Sequence, residues 1–149
     1  MQDIRALFAD YASYHQTKGN KAFHRLGIPL IVLTAFGMLA RVTLLRAGGV
    51  RIDAAMLLVA IAEVVYLILE WRLALAMLLI SAALYLGGAA IPLSVNAGLF
   101  ILGWIFQFIG HSVYEHRQPA FLKNGMHLLV GPLWILNDLL PVVKTRSEA

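Results

Sequence analysis

The chain has 149 residues, of which 60% are hydrophobic and 13% charged, with a net charge of +4 and a mean hydropathy of +0.78. An apolar share this far above the roughly 45–50% of ordinary globular domains argues against a water-soluble protein and for one membrane domain, residues 1–149. The Lys and Arg residues are scattered over short connections and form no continuous basic stripe, so nucleic acid is excluded as a partner and anionic lipid headgroups take its place.

In chain order, residues 1–27 form a polar, histidine-bearing segment of mixed charge, unlike a cleavable signal peptide. Within it Ile4, Leu7, Phe8, Tyr11 and Tyr14 recur at helical spacing, which predicts an amphipathic helix lying against the membrane or the other helices. Thr17 to Asn20, with Gly19, reads as a break, and a short helical piece from Lys21 to Leu26 then carries His24 up to the bilayer. Residues 28–109 hold the spans: Ile28 to Leu45 with Pro29 in its first turn, Ile52 to Leu69, Leu73 to Ala90, and about Leu93 to Ile109. Gly48-Gly49 ends the first, Glu70-Trp71-Arg72 closes a tight hairpin between the second and third, and Ile91-Pro92 turns into the fourth. Residues 110–149 carry a histidine and glutamate motif, then an apolar stretch from Leu128 to Val143 broken by Gly131-Pro132, Asn137-Asp138 and Pro141. That stretch reads as a bent interfacial or re-entrant segment, with a fifth span as the alternative. The predicted fold is therefore an all-α integral membrane bundle of about four transmembrane helices.

Lys and Arg counts set the orientation. With four spans and both ends cytoplasmic, Arg5, Lys18, Lys21, Arg25, Arg72, Arg117, Lys123, Lys144 and Arg146 lie inside, and Arg41, Arg46 and Arg51 outside, nine against three. An even number of crossings also brings the segment of His15 and His24 to the same face as that of His111 and Glu115.

Gly103, Gln107, His111 and Glu115 follow one another at i, i+4, one polar stripe leading from the membrane to its surface. His111 and Glu115, one turn apart, could reach a single cation; a hydrogen-bonded helix end is the other reading. His15 and His24 add imidazoles from the opposite terminus, and the combined nitrogen and oxygen donors suit Fe(II), Mn(II) or Zn(II). With no cysteine in the chain, a thiolate site is excluded. His116 lies about 100° around a helix from Glu115 and is a spare ligand or a headgroup contact. His127 reads as an interfacial residue. Glu63 shares a face with Tyr66 and Glu70 and needs a partner within the membrane, most simply an interhelical contact. Phosphate-binding loops, nucleophile elbows and HExxH zinc motifs do not occur, so phosphoryl transfer and the common hydrolase templates lack support.

Tyr14-His15, Asn20, His24 and Gly27-Ile28-Pro29, together with Gln107, Gly110-His111, Glu115 and Pro119-Ala120, resemble the Fe(II)-dependent 2-hydroxy fatty acid dioxygenase family, small membrane enzymes of fatty acid alpha-oxidation in phytosphingosine breakdown. The resemblance implies an enzyme that uses ferrous iron and O₂, without 2-oxoglutarate, to shorten a 2-hydroxy fatty acid by one carbon. It implies His15, His24 and His111 as metal ligands, with His116 a further candidate outside the shared motif. Glu115 is implied as a ligand or base, and Asn20 and Gln107 as orienting residues. The alternatives are a zinc-dependent membrane hydrolase on the same ligands and a non-catalytic helical scaffold or lipid-binding protein.

Overall fold

The computed structural model describes residues 3–122 and 124–144. Helix α1 (Ile4–Ser13) starts at Asp3, whose carboxylate accepts from the Arg5 amide, and it buries Ile4, Leu7, Phe8 and Tyr11 on one face. The amphipathic spacing thus becomes packing, as the sequence predicts.

Helix α2 (Lys18–Leu39) begins where Thr17 accepts from the Asn20 amide at 3.2 Å. The predicted break at Thr17 to Asn20 falls earlier, at His15 to Thr17, and no second interruption separates the helical piece from the span. Pro29 consequently sits in the helix interior and not in a first turn. The span also ends sooner than Leu45. Thr43–Ala47 (β1) and Val50–Asp53 (β2) pair antiparallel, with Arg46 opposite Arg51 and Ala47 opposite Val50. Gly48 and Gly49 both have positive φ, 55° and 82°, the combination a two-residue hairpin turn demands. A small exposed hairpin is therefore the exception in an otherwise helical fold.

Asp53 joins this hairpin to the bundle. Its buried carboxylate accepts from the Met56 amide at 3.0 Å, capping helix α3 (Ala54–Leu69), and from the Tyr85 hydroxyl at 2.7 Å on helix α4 (Trp71–Ala90). Glu70 alone separates α3 from α4. Helix α5 (Leu93–Ile109) follows Pro92 and runs directly into a π-helical turn, Gly110–Glu115.

Three of these helices, Lys18–Leu39, Trp71–Ala90 and Leu93–Glu115, are long and apolar enough to cross a membrane. The 16-residue α3 is apolar and shorter. At about 1.5 Å per residue it covers roughly 24 Å of a hydrocarbon core about 30 Å thick. It returns the chain between α2 and α4, so four helices, three of them of spanning length, lie between the two histidine segments. Outward-facing residues such as Leu79, 74% exposed, and Leu86, 68% exposed, form the apolar surface a bilayer would cover.

Helix α6 (Met126–Leu139) is one continuous helix despite Gly131-Pro132. Its 14 residues extend about 21 Å, too short to span, so the fifth-span alternative drops out. It lays Val130, Leu133, Trp134 and Leu136 against the buried face of α1, along with Leu73 and Met77 of α4. Asn137 then turns the chain back, accepting from the Val142 and Val143 amides at 3.1 and 2.8 Å.

Glycines set the closest helix approaches. A Cβ on Gly88 of α4 would collide with the Leu33 carbonyl and the Gly37 backbone of α2, and Asn96 donates to the Gly88 carbonyl at 2.9 Å beside them. Gly88→Val should therefore lower unfolding stability by about 1–3 kcal/mol through overpacking. Denaturant titration in detergent checks this, with Leu79→Val, on the exposed side of the same helix, expected to stay within about 0.5 kcal/mol.

Candidate metal centre

Three imidazoles meet where α1, α2 and α5 come together. His15 lies in the linker after α1, His24 on α2, and His111 in the π-helical turn; all are buried. Their ring centroids are 4.3 Å apart for His15 and His24, 4.9 Å for His15 and His111, and 4.7 Å for His24 and His111. One nitrogen from each can be chosen so that all three lie within 4.8 Å of one another.

Backbone geometry fixes what two of these rings present. The Tyr11 carbonyl accepts at 2.7 Å from Nδ1 of His15, and the Asn20 carbonyl at 3.0 Å from Nδ1 of His24. A carbonyl only accepts, so Nδ1 carries the proton and Nε2 keeps its lone pair, the arrangement common in metal-ligating histidines. Tyr11 also stacks on His15 at 4.0 Å. Burial, which penalises the charged form, pulls the His15 pKa down to about 4, so the ring is neutral at neutral pH. Nε2 of His15 and Nδ1 of His111 are buried without a hydrogen-bond partner. An unpartnered buried polar atom costs roughly 1–3 kcal/mol, and a cation would satisfy both. The donor set therefore fits a divalent metal with nitrogen preference.

Glu115 does not join that group. Both its oxygens are spent on the opposite strand of the linker, accepting from the Gln16 amide at 2.9 Å, the Thr17 amide at 3.2 Å and hydroxyl at 3.0 Å, and Asn20 Nδ2 at 3.1 Å. Those amides stand at the start of α2, where unpaired N–H groups favour a negative charge. The π-helical turn explains the difference from the i, i+4 expectation, because a wider turn takes Glu115 off the line of His111. Asn20 relays the contact: its side chain also donates to the Tyr14 carbonyl at 3.1 Å while its own carbonyl holds His24. Gln107 is buried one turn before His111, with Nε2 unpartnered.

His116 is placed elsewhere. It is exposed, ends the π-helical turn in the left-handed conformation at φ 52°, and lies outside the three-histidine group. Its exposure suits the headgroup contact that the sequence offered as the other reading. His127, read as interfacial, is buried instead and donates through Nε2 to the Asp10 carboxylate at 2.8 Å. That pair had no signal in the sequence because no spacing rule links residues 117 positions apart. In front of the histidines lies a cavity of about 70 Å³ lined by Ile28, Ile31, Trp104, Gln107 and His127 among others.

Fold and centre together define a class: a helical membrane protein with a buried, all-imidazole ligand group at one end of its bundle. Residues 1–141 match the family model described as Mpo1-like, 2-hydroxy-palmitic acid dioxygenase Mpo1-like, and the chain belongs to that family. A relative of Saccharomyces cerevisiae, the 2-hydroxy-palmitic acid dioxygenase MPO1, is 30% identical over 139 residues, covering 93% of this chain and 80% of the yeast protein. No solved structure matches the chain.

His15→Ala, His24→Ala and His111→Ala should each abolish metal retention measured by elemental mass spectrometry, and His116→Ala should leave it intact. Glu115→Ala, which removes the anchor and not a ligand, should weaken metal affinity by about 10–100-fold without abolishing it.

Proposed function

We propose that this chain is an iron-dependent dioxygenase that shortens 2-hydroxy fatty acids by one carbon with O₂. The observation that supports the reading is the three-imidazole group facing a cavity in a member of a family described as 2-hydroxy-palmitic acid dioxygenase Mpo1-like. Fe(II) held there would supply the redox chemistry with O₂. His15, His24 and His111 are its proposed ligands. Three protein ligands leave room for the carboxylate and hydroxyl oxygens of a 2-hydroxy acid and for O₂.

The overall change balances without a further reductant: R–CH(OH)–COOH and O₂ give R–COOH, CO₂ and H₂O. Burial of the centre keeps bulk water away, and the unpartnered Gln107 Nε2 is a donor available to orient the oxygen-rich head of the substrate. Asn20 and Glu115 act by fixing the start of α2, and through it His24. Arg25 pairs with Asp138 and so contributes to docking α6. The Lys and Arg count supports a cytoplasmic placement for the centre and both termini, with the acid and membrane lipid reaching it from the bilayer; Lys123 and Arg146 of that count lie outside the described residues.

Anaerobic loading with Fe(II), followed by O₂ and 2-hydroxyhexadecanoate, should consume one O₂ per acid and yield the acid one carbon shorter with CO₂. Turnover of an acyl ester or amide by the zinc-loaded protein without O₂ would contradict the proposal and favour the hydrolase reading.

A further inference from the structure

A second cavity adjoins the one in front of the histidines. It measures about 180 Å³ and lies between Pro29 of α2, Met77, Ile80 and Leu84 of α4, and Ile135 and Leu139 of α6. Ile28, Val32 and Pro132 line both spaces, so the two meet along a shared wall. The lining of the second is entirely hydrophobic side chains and proline.

Its shape follows from the helix packing. At Gly37 and Gly88 the backbones of α2 and α4 touch, which closes the gap between them. On the histidine side of that contact in both helices, Pro29 and Val32 of α2 and Met77, Ile80 and Leu84 of α4 line the cavity together with Ile135 and Leu139 of α6. Leu84, one turn before Gly88, is the α4 residue lining this wedge that lies nearest that contact along the helix.

We propose that the wedge is the binding site for the alkyl chain of the substrate, and that Leu84 and Ile80 set the chain length it favours. This rests on the reading of the histidine centre as the place where the head of a 2-hydroxy acid is held. The histidine cavity, at about 70 Å³, has room for a polar head and not for a long alkyl chain. The tail must leave it across an apolar surface, and the side chains common to both linings, Ile28, Val32 and Pro132, are the proposed way into the wedge. For an acid taken up from water each methylene buried there strengthens binding by about fourfold, and a chain too long for the wedge meets its inner end, so the depth of the wedge becomes a preference for length.

Binding is measured on the anaerobic, iron-loaded protein, where no turnover occurs, by calorimetric titration with 2-hydroxyoctanoate and 2-hydroxyhexadecanoate. Leu84→Trp fills the inner end of the wedge and should weaken the long acid by roughly tenfold or more while changing the short one less than about twofold. Ile80→Trp should act in the same direction, and Leu84→Ala should move the optimum to longer chains. Leu79→Trp, on the exposed side of α4, should leave the length profile of the parent. Iron content equal to the parent shows that each variant has kept the centre. A parent that binds the long acid with a length profile untouched by Leu84→Trp and Ile80→Trp overturns the wedge and leaves the centre standing. Loss of co-purifying phospholipid from those variants without a change in profile assigns the wedge to bilayer lipid and likewise overturns it. A parent that binds neither acid overturns the reading of the centre, and the wedge with it.

Discussion

Burying three imidazoles against one another is tolerable only if something takes up their inward lone pairs. His15 and His24 spend their Nδ1 protons on the Tyr11 and Asn20 carbonyls, so neither can donate to the other through that nitrogen. Protonating one ring would restore a donor but place a charge among buried neighbours, and burial already drives the His15 pKa down to about 4. A divalent cation resolves both difficulties at once, since it accepts lone pairs from all three and its charge is shared among them. The surrounding fold brings residues at positions 15, 24 and 111 to that one point.

Two devices bring them there. Antiparallel packing of α2 against α5 is made close by Gly27, Gly103 and Gly110, where an added Cβ would meet Gln107, Ile31 or Asn20 of the facing helix. Glu115 then fastens the end of the π-helical turn to the first amides of α2, through four contacts that span 95 to 99 residues of sequence. The carboxylate acts on the histidines through backbone position. Helix α1, held down by α6 through Phe8, Tyr11, Leu133 and Trp134, supplies the remaining carbonyl and presses Tyr11 onto His15.

Much of this was legible in the residues. Helix α5 is legible as Leu93 to Ile109 because Pro92 and the predominantly apolar run after it define it, and α1 because Ile4, Leu7, Phe8 and Tyr11 keep helical spacing. The convergence of the two histidine segments was legible as parity, since an even number of passes returns the chain to its starting face. The β-hairpin was hidden because Val42 to Leu45 continues the apolar run of α2, and Gly48-Gly49 was read as a stop where it is a turn between paired strands. Glu115 was placed with His111 by an i, i+4 rule that a π-helical turn does not obey. His116 was carried along by adjacency alone, and the left-handed backbone there turns it out to the surface. Asp10 and His127 pair across the whole chain, a tertiary contact that local pattern does not encode.

The proposed carbon-shortening chemistry, and with it the assignment of the apolar wedge to the alkyl chain, rests on three imidazoles holding one metal ion. X-ray absorption at the iron edge of the Fe(II)-loaded protein counts those ligands directly. Three imidazole nitrogens in the first coordination sphere, falling to two in His111→Ala, is the predicted result. A spectrum dominated by oxygen ligands and unchanged by that substitution would contradict it.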